Sequence, residues 1–251
     1  MIDKRSIVPL LTENMNLFGQ SPFANIPPVV KNLLIINIIF FIATLIFENM
    51  GIQLAYYLGA FYFNSPYFRI WQIITYMFMH GGWAHIFFNM FALYMFGPAI
   101  EYYMGSKRFF NYYFITGLGA LALQMFVQAM EVHSIVGSFI LNPATHYNIS
   151  PESVEKLRAI YSEPMVGASG ALFGILVAFG VLYSETSLYI MLIPIPVKAK
   201  YAVIGYIVVE LYLGLSQHQG DSVAHFAHLG GALFGYILLK IWGMHRTNDF
   251  Y

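Results

Sequence analysis

Six stretches of this chain are apolar for long enough to cross a bilayer, and that leaves few folds open. A spanning helix needs about 20 mostly apolar residues, with about 17 as the lower limit. The segments that qualify are roughly 29–48, 84–103, 108–130, 168–184, 200–216 and 223–243. Inside hydrocarbon every backbone N–H and C=O must be satisfied within the protein. The expectation is an all-α polytopic membrane helix bundle with six transmembrane helices. Composition agrees, with 59% of residues hydrophobic and 10% charged, against about 25% charged in a soluble domain. The formal net charge is zero, which leaves no electrostatic footprint for nucleic acid. The absence of cysteine excludes disulfides, thiolate metal sites and a cysteine nucleophile.

The chain divides into a cytoplasmic or interfacial N-terminal segment over 1–28, a six-span domain over 29–243 and a short cytoplasmic tail over 244–251. Lys4 and Arg5 stand near the start, but Pro9, Glu13 and Asn14 interrupt the apolar stretch and no cleavage site follows, so the N-terminus is expected to be retained. Segment 51–80 is aromatic but broken by Asn64, Ser65, Pro66 and Arg69, and reads as a structured loop lying partly in the membrane interface. The connection 131–164 is long for a compact bundle. Within it Ser150-Pro151-Glu152 predicts a helix N-cap with proline at the first helical position, and a short helix over 151–161. It reads as a surface insertion.

Basic residues set the orientation. With the N-terminus inside, Lys4, Arg5, Lys31, Lys107, Arg108, Lys198, Lys200, Lys240 and Arg246 fall on the inner side, and only Arg69, Lys156 and Arg158 on the outer. Cytoplasmic loops carry the excess of Lys and Arg. Both termini are therefore expected in the cytoplasm.

In that arrangement the even-numbered spans run from outside to inside, and their N-terminal ends share one depth. Ser169, in Gly167-Ala168-Ser169-Gly170, opens span four. His228 is about 8 Å into span six at the helical rise. His85 starts span two, with Asn89 one turn below on the same face. Three segments distant in sequence thus put Ser, His, His and Asn in one layer near the outer surface, where polar groups are costly and usually functional.

A serine hydroxyl attacks a carbonyl poorly unless a base takes its proton, and a histidine titrates in the right range for that task. A third carboxylate would complete a triad. None is expected at that depth: Glu185 and Glu101 fall at inner ends, Glu210 deep in span five and Asp221 in the outer loop before His228. The expectation is a Ser169–His228 dyad. The Ser169 amide at a helix N-terminus, with the His85 and Asn89 side chains, would supply oxyanion donors.

Gly170-x-x-x-Gly174 and Gly231-x-x-x-Gly235 place glycines on one face of spans four and six and allow close approach. Phe173, one turn after Ser169, can stack on His228. Each reading has a plainer counterpart: the glycines as helix packing alone, Asn89 as an interhelical hydrogen bond, Phe173 as core or lipid contact. His225 competes with His228, and the pair resembles a metal-ligand spacing. A zinc protease is disfavoured because no His-Glu-x-x-His is present. No metal or other cofactor is expected.

These residues resemble the rhomboid family of intramembrane serine proteases. The matching pieces are His80-Gly-Gly-Trp-Ala-His85-Ile-Phe-Phe-Asn89, Glu101-Tyr-Tyr-Met-Gly105-Ser106, Gly167-Ala-Ser169-Gly170 and Ala227-His228-Leu-Gly-Gly231-Ala-Leu-Phe-Gly235, in the family's order. The resemblance implies Ser169 as nucleophile and His228, not His225, as base. It implies His85, Asn89 and the Ser169 amide as the oxyanion site, and Phe173 as a ring packed on the catalytic histidine. Glu101, Gly105 and Ser106 match a structural motif. Where the family often has Trp-Arg in the first loop, this chain has Trp71-Gln72.

The resulting reading is a multi-pass serine endopeptidase that cleaves transmembrane proteins near helix-breaking segments. Its partners would be transmembrane substrates and the lipid bilayer, without nucleic acid or metal. It would sit in a prokaryotic plasma (inner) membrane with its site toward the outer face. Span five and the loop 217–222 are candidates for a moving gate and cap. The alternatives are a catalytically inactive rhomboid-like protein that binds membrane helices and, less favoured for want of a charged pathway, a transporter.

Overall fold

The computed structural model describes residues 26–142, 145–189, 195–216 and 224–245. Most of the N-terminal segment, the tail beyond 245 and the 217–222 loop with Asp221 lie outside the described residues. The described helices are α1 (Pro28–Asn49), α2 (Leu54–Leu58), α3 (Gln72–Thr75), a 3-10 turn (Tyr76–Phe78), α4 (Trp83–Met104), α5 (Ser106–Val136), α6 (Pro151–Ser162), α7 (Ser169–Leu182), α8 (Ala199–Ser216) and α9 (His225–Ile241). A two-residue antiparallel pair, β1 (Ser187–Leu188) and β2 (Val197–Lys198), joins α7 to α8.

The fold is the expected all-α membrane bundle. Helices α1, α4, α5 and α8 are long and apolar enough to span by themselves. The two that carry Ser169 and His228 are shorter than the sequence suggested. Helix α7 has 14 residues and α9 has 17, about 21 and 26 Å of rise against a hydrocarbon core of about 30 Å. The reason is placement. Helix α7 packs on α4, α5, α8 and α9 and buries 11 of its residues. It is apolar all round because protein surrounds it, so its length need not match the lipid.

At the end of the bundle away from Ser169, Glu101 ties three helices together. Its carboxylate accepts the Val29 and Val30 amides at the start of α1, at 3.0 and 2.8 Å, and the Ser106 hydroxyl at 2.7 Å. Anionic capping at a helix N-terminus satisfies orphan N–H groups and complements the dipole. Between α4 and α5, Gly105 takes a φ of 77°, a left-handed value at little cost only for glycine. Beyond α7, the Lys198 and Lys200 ammonium groups clamp Glu185 and hold its carboxyl down at about 2.

Segment 51–80 packs inward more than an interfacial loop would. Phe61, Tyr62, Tyr76 and Met77 are fully buried. Trp71-Gln72 anchors it through the glutamine amide: buried Gln72 donates to the Tyr67 carbonyl at 3.1 Å and accepts the Arg69 amide at 2.9 Å. This loop also aims the chain into α7. Ala60 and Met165 exchange backbone hydrogen bonds of 2.9 and 2.8 Å, and the Gly167 amide donates to the Tyr76 carbonyl at 2.9 Å. The insertion contains the helix expected of it, α6, with the Ser150 hydroxyl accepting the Ser153 amide as N-cap. The third span, α5, runs to Val136, past the expected end at 130.

Candidate active site

Helix α7 begins at Ser169 because Gly167, at φ 131°, turns the chain into it. Its first amides have no intrahelical partner. His228, on the first turn of α9, reaches across with Nε2 2.8 Å from the Ser169 hydroxyl. The approach depends on glycine. A Cβ at Gly231 would overlap the Gly170 carbonyl, and one at Gly235 would stand 2.9 Å from Gly174 Cα. Phe173 lies flat on the imidazole, with ring centres 4.4 Å apart and planes 8° from parallel. His225, one turn before, hydrogen-bonds elsewhere, and its ring centre is 6.4 Å from that of His228.

On the opposite side, α4 supplies donors. The Gly81 amide donates to Nδ1 of His85 at 3.4 Å, which leaves Nε2 to carry the ring proton. That nitrogen faces Gly167, where a Cβ would stand 2.8 Å from it and 3.5 Å from the Ser169 hydroxyl. One turn on, Asn89 is buried, and its Nδ2 has no hydrogen-bond partner. A buried amide donor without a partner is costly in an empty site and suits an oxyanion. His80 packs edge-on against His85 with centres 5.1 Å apart. Burial and the neighbouring His85 push its imidazole down to about 4.

One expectation is corrected here. Glu210 does not lie out of reach. Its Oε2 is 2.6 Å from Nδ1 of His225 and 2.9 Å from Nδ1 of His228. Helix α8 runs opposite to α7 and α9, so a residue well along it stands near the end that carries Ser169 and His228. Glu210, His225 and His228 present ligand atoms within 4.8 Å of one another, a set that can hold a divalent cation as well as share protons.

These groups open onto a cavity of about 1580 Å³ lined by Ser169, His228, His85 and Asn89. The insertion forms part of its wall: Glu152, Glu155, Lys156 and Ala159 of α6 line the same space. The sequence reading took this segment as surface only. The polar wall gives water a route to a serine set among apolar helices.

Residues 67–245 match the family model described as the rhomboid domain. Among curated proteins, the chain is 26% identical over 219 residues to Rhomboid-like protein 11, chloroplastic, of Arabidopsis thaliana, covering 82% of this chain and 62% of that protein. It is 28% identical over 174 residues to Rhomboid protease AarA of Providencia stuartii, covering 67% and 54%. It is 26% identical over 164 residues to Rhomboid protein 1, mitochondrial, of Saccharomyces cerevisiae, covering 65% and 39%. The chain thus spans less than two thirds of the length of each of these relatives. They include organellar as well as bacterial proteins, so the expected prokaryotic plasma membrane gains no support from them.

Proposed function

The chain belongs to the rhomboid family, and from that premise we propose that it is a serine endopeptidase that cleaves transmembrane proteins within or near their membrane segments. The observation that carries this reading is the 2.8 Å contact between Ser169 Oγ and His228 Nε2 beside a cavity open to water. In the proposed reaction the Ser169 proton passes to Nε2 of His228 as Oγ attacks the scissile carbonyl carbon. The carbonyl oxygen becomes an oxyanion held by His85, Asn89 and the Ser169 amide. Collapse breaks the C–N bond, and the leaving amine takes the proton from His228. A water then gives its proton to His228 and attacks the acyl-serine; the C–Oγ bond breaks, His228 returns the proton to Ser169 Oγ, and the new carboxyl end is released. Phe173 keeps the imidazole in plane throughout.

A helical substrate hides its carbonyls in its own hydrogen bonds, so the segment to be cut must unwind first. Unstable, helix-breaking stretches are therefore the preferred substrates. The basic residues Lys31, Lys107, Arg108, Lys198, Lys200 and Lys240 stand at the helix ends away from Ser169, and the positive-inside rule then supports a site toward the non-cytoplasmic face.

The test is cleavage of a panel of single-span substrates by the purified chain in liposomes. Wild type is expected to cut and Ser169→Ala to be folded and inactive. Near wild-type cleavage by Ser169→Ala would remove the nucleophile. No cleavage by either protein would favour the alternative, a rhomboid-like protein that binds membrane helices.

A further inference from the structure

Glu210 is a charge placed where charge is costly. Helix α8 turns Ile204, Val208, Val209, Leu211 and Leu215 outward as exposed apolar surface. Its buried residues are Ala199, Glu210 and Gly214. An ionisable group in a membrane helix faces the protein interior and needs a partner. Glu210 has two, and both are histidines of α9. The approach is built in. Gly214, one turn beyond Glu210, sits against α9 so closely that a Cβ there would be 3.3 Å from the His225 Cβ and the Phe226 ring. A larger residue would hold α8, and the carboxylate with it, away.

The consequence falls on His228. Its Nε2 faces the Ser169 hydroxyl and can accept that proton only if the ring carries its own proton on Nδ1. Apart from Glu210, no polar group among the described residues pairs with Nδ1. The carboxylate oxygen lies 2.9 Å away, off the direct N–H line, while the 2.6 Å bond from His225 Nδ1 restrains the same oxygen. Resting on the protease reading above, we propose that Glu210 is a positioning residue for His228. It favours the tautomer protonated on Nδ1 and stabilises the imidazolium that forms when Ser169 gives up its proton, and His225 holds it in place. The carboxylate keeps its charge and takes no proton, the role a third member plays in other serine hydrolases.

The test uses the full chain in proteoliposomes, a single-span model substrate and a fluorophosphonate probe that labels an activated serine. Ser169→Ala and His228→Ala are the reference variants, and thermal midpoints are measured for all. Glu210→Gln keeps the shape and removes the charge. It is expected to lower kcat by about 10²- to 10⁴-fold with KM little changed, since loss of the orienting carboxylate in known triads costs about 10⁴. Probe labelling should slow in parallel. The titratable groups around His228 are Glu210 and, beyond the Phe173 ring, Tyr206 on α8, His85 on α4 and His225 on its own helix. Removing the one carboxylate makes the imidazolium less stable, so the acid limb of kcat/KM should move to lower pH.

A purely structural carboxylate would leave that limb in place. Wild-type kcat with an unmoved acid limb in Glu210→Gln overturns the proposal, and leaves the protease reading intact while Ser169→Ala stays inactive. Should Glu210→Gln unfold below the assay temperature, Glu210→Asp decides. A kcat below wild type at unchanged KM supports the role, and a wild-type kcat overturns it. Cleavage or labelling by Ser169→Ala at the wild-type rate overturns both readings together.

Discussion

A Cβ at Gly167 would stand 2.8 Å from Nε2 of His85, so the smallest residue borders the space between that donor and the Ser169 hydroxyl. Its φ of 131° independently excludes other residues. Gly167→Ala is expected to abolish both cleavage and fluorophosphonate labelling. Backbone strain of about 1–3 kcal/mol should also lower the thermal midpoint. A variant that is destabilised yet fully active would show that the substrate carbonyl does not use this space.

The donors on α4 should act on the chemical step. Loss of one oxyanion donor typically costs about 10²–10³ in kcat. His85→Ala and Asn89→Ala are each expected to lower kcat and largely spare KM, measured in detergent and in liposomes. Asn89→Ala also removes a buried amide that lacks a partner in the resting protein, so its thermal midpoint should hold or rise. An unchanged kcat in both variants would make this polar layer structural.

The two histidines of α9 should separate cleanly. His228→Ala is expected to abolish turnover, whereas His225→Ala loses a bond to Glu210, not a contact with Ser169, and should keep substantial activity. A chelator should leave wild type active. Added zinc should inhibit, because a cation at Glu210, His225 and His228 would take the Nδ1 lone pair of His228 and leave the proton on Nε2, where a base is needed. Activity that vanishes with chelator and returns with zinc would reverse the assignment.

Stability should fall on mild acidification. His80 outside the spans is held near 4 by burial and by His85, against an ordinary value of 6.5. The unfolded chain therefore takes up this proton first. As pH falls from about 6.5 to about 4, folding loses at most about 3 kcal/mol from this group, and no more below that. Thermal midpoints across this window should be flatter in His80→Gln than in wild type. Equal slopes would assign the acid loss to other groups.

The bundle could be read from apolar runs because a bilayer allows so few solutions. The convergence of Ser169, His85, Asn89 and His228 could be read because the first two turns of three helices share one depth. Glu210 could not be placed, for two reasons. Depth along α8 counts from its far end, since the helix runs the other way. A lone carboxylate in a helix apolar on every side also gives no rotational phase. The seat of α6 was hidden differently. The helix itself was expected, but the bonds that hold it on the bundle, such as Ser65 Oγ to the Tyr161 carbonyl at 2.6 Å, join residues nearly a hundred positions apart through loops without periodicity. The length of α7 was overestimated because hydropathy cannot distinguish a helix wrapped in lipid from one wrapped in protein.

At Gly170 and Gly231 the main chains of α7 and α9 touch, with no side chain between them. A gap bridged by side chains can breathe through rotamer changes, but one closed by backbone against backbone cannot. The spacing of Ser169 and His228 therefore behaves as a fixed gauge, indifferent to how thicker or thinner bilayers tilt the outer helices. Helix α8 has no such lock, and its carboxylate travels with it. Ser169 and His228 stay in register in any lipid, while the Glu210 carboxylate registers whether α8 is docked.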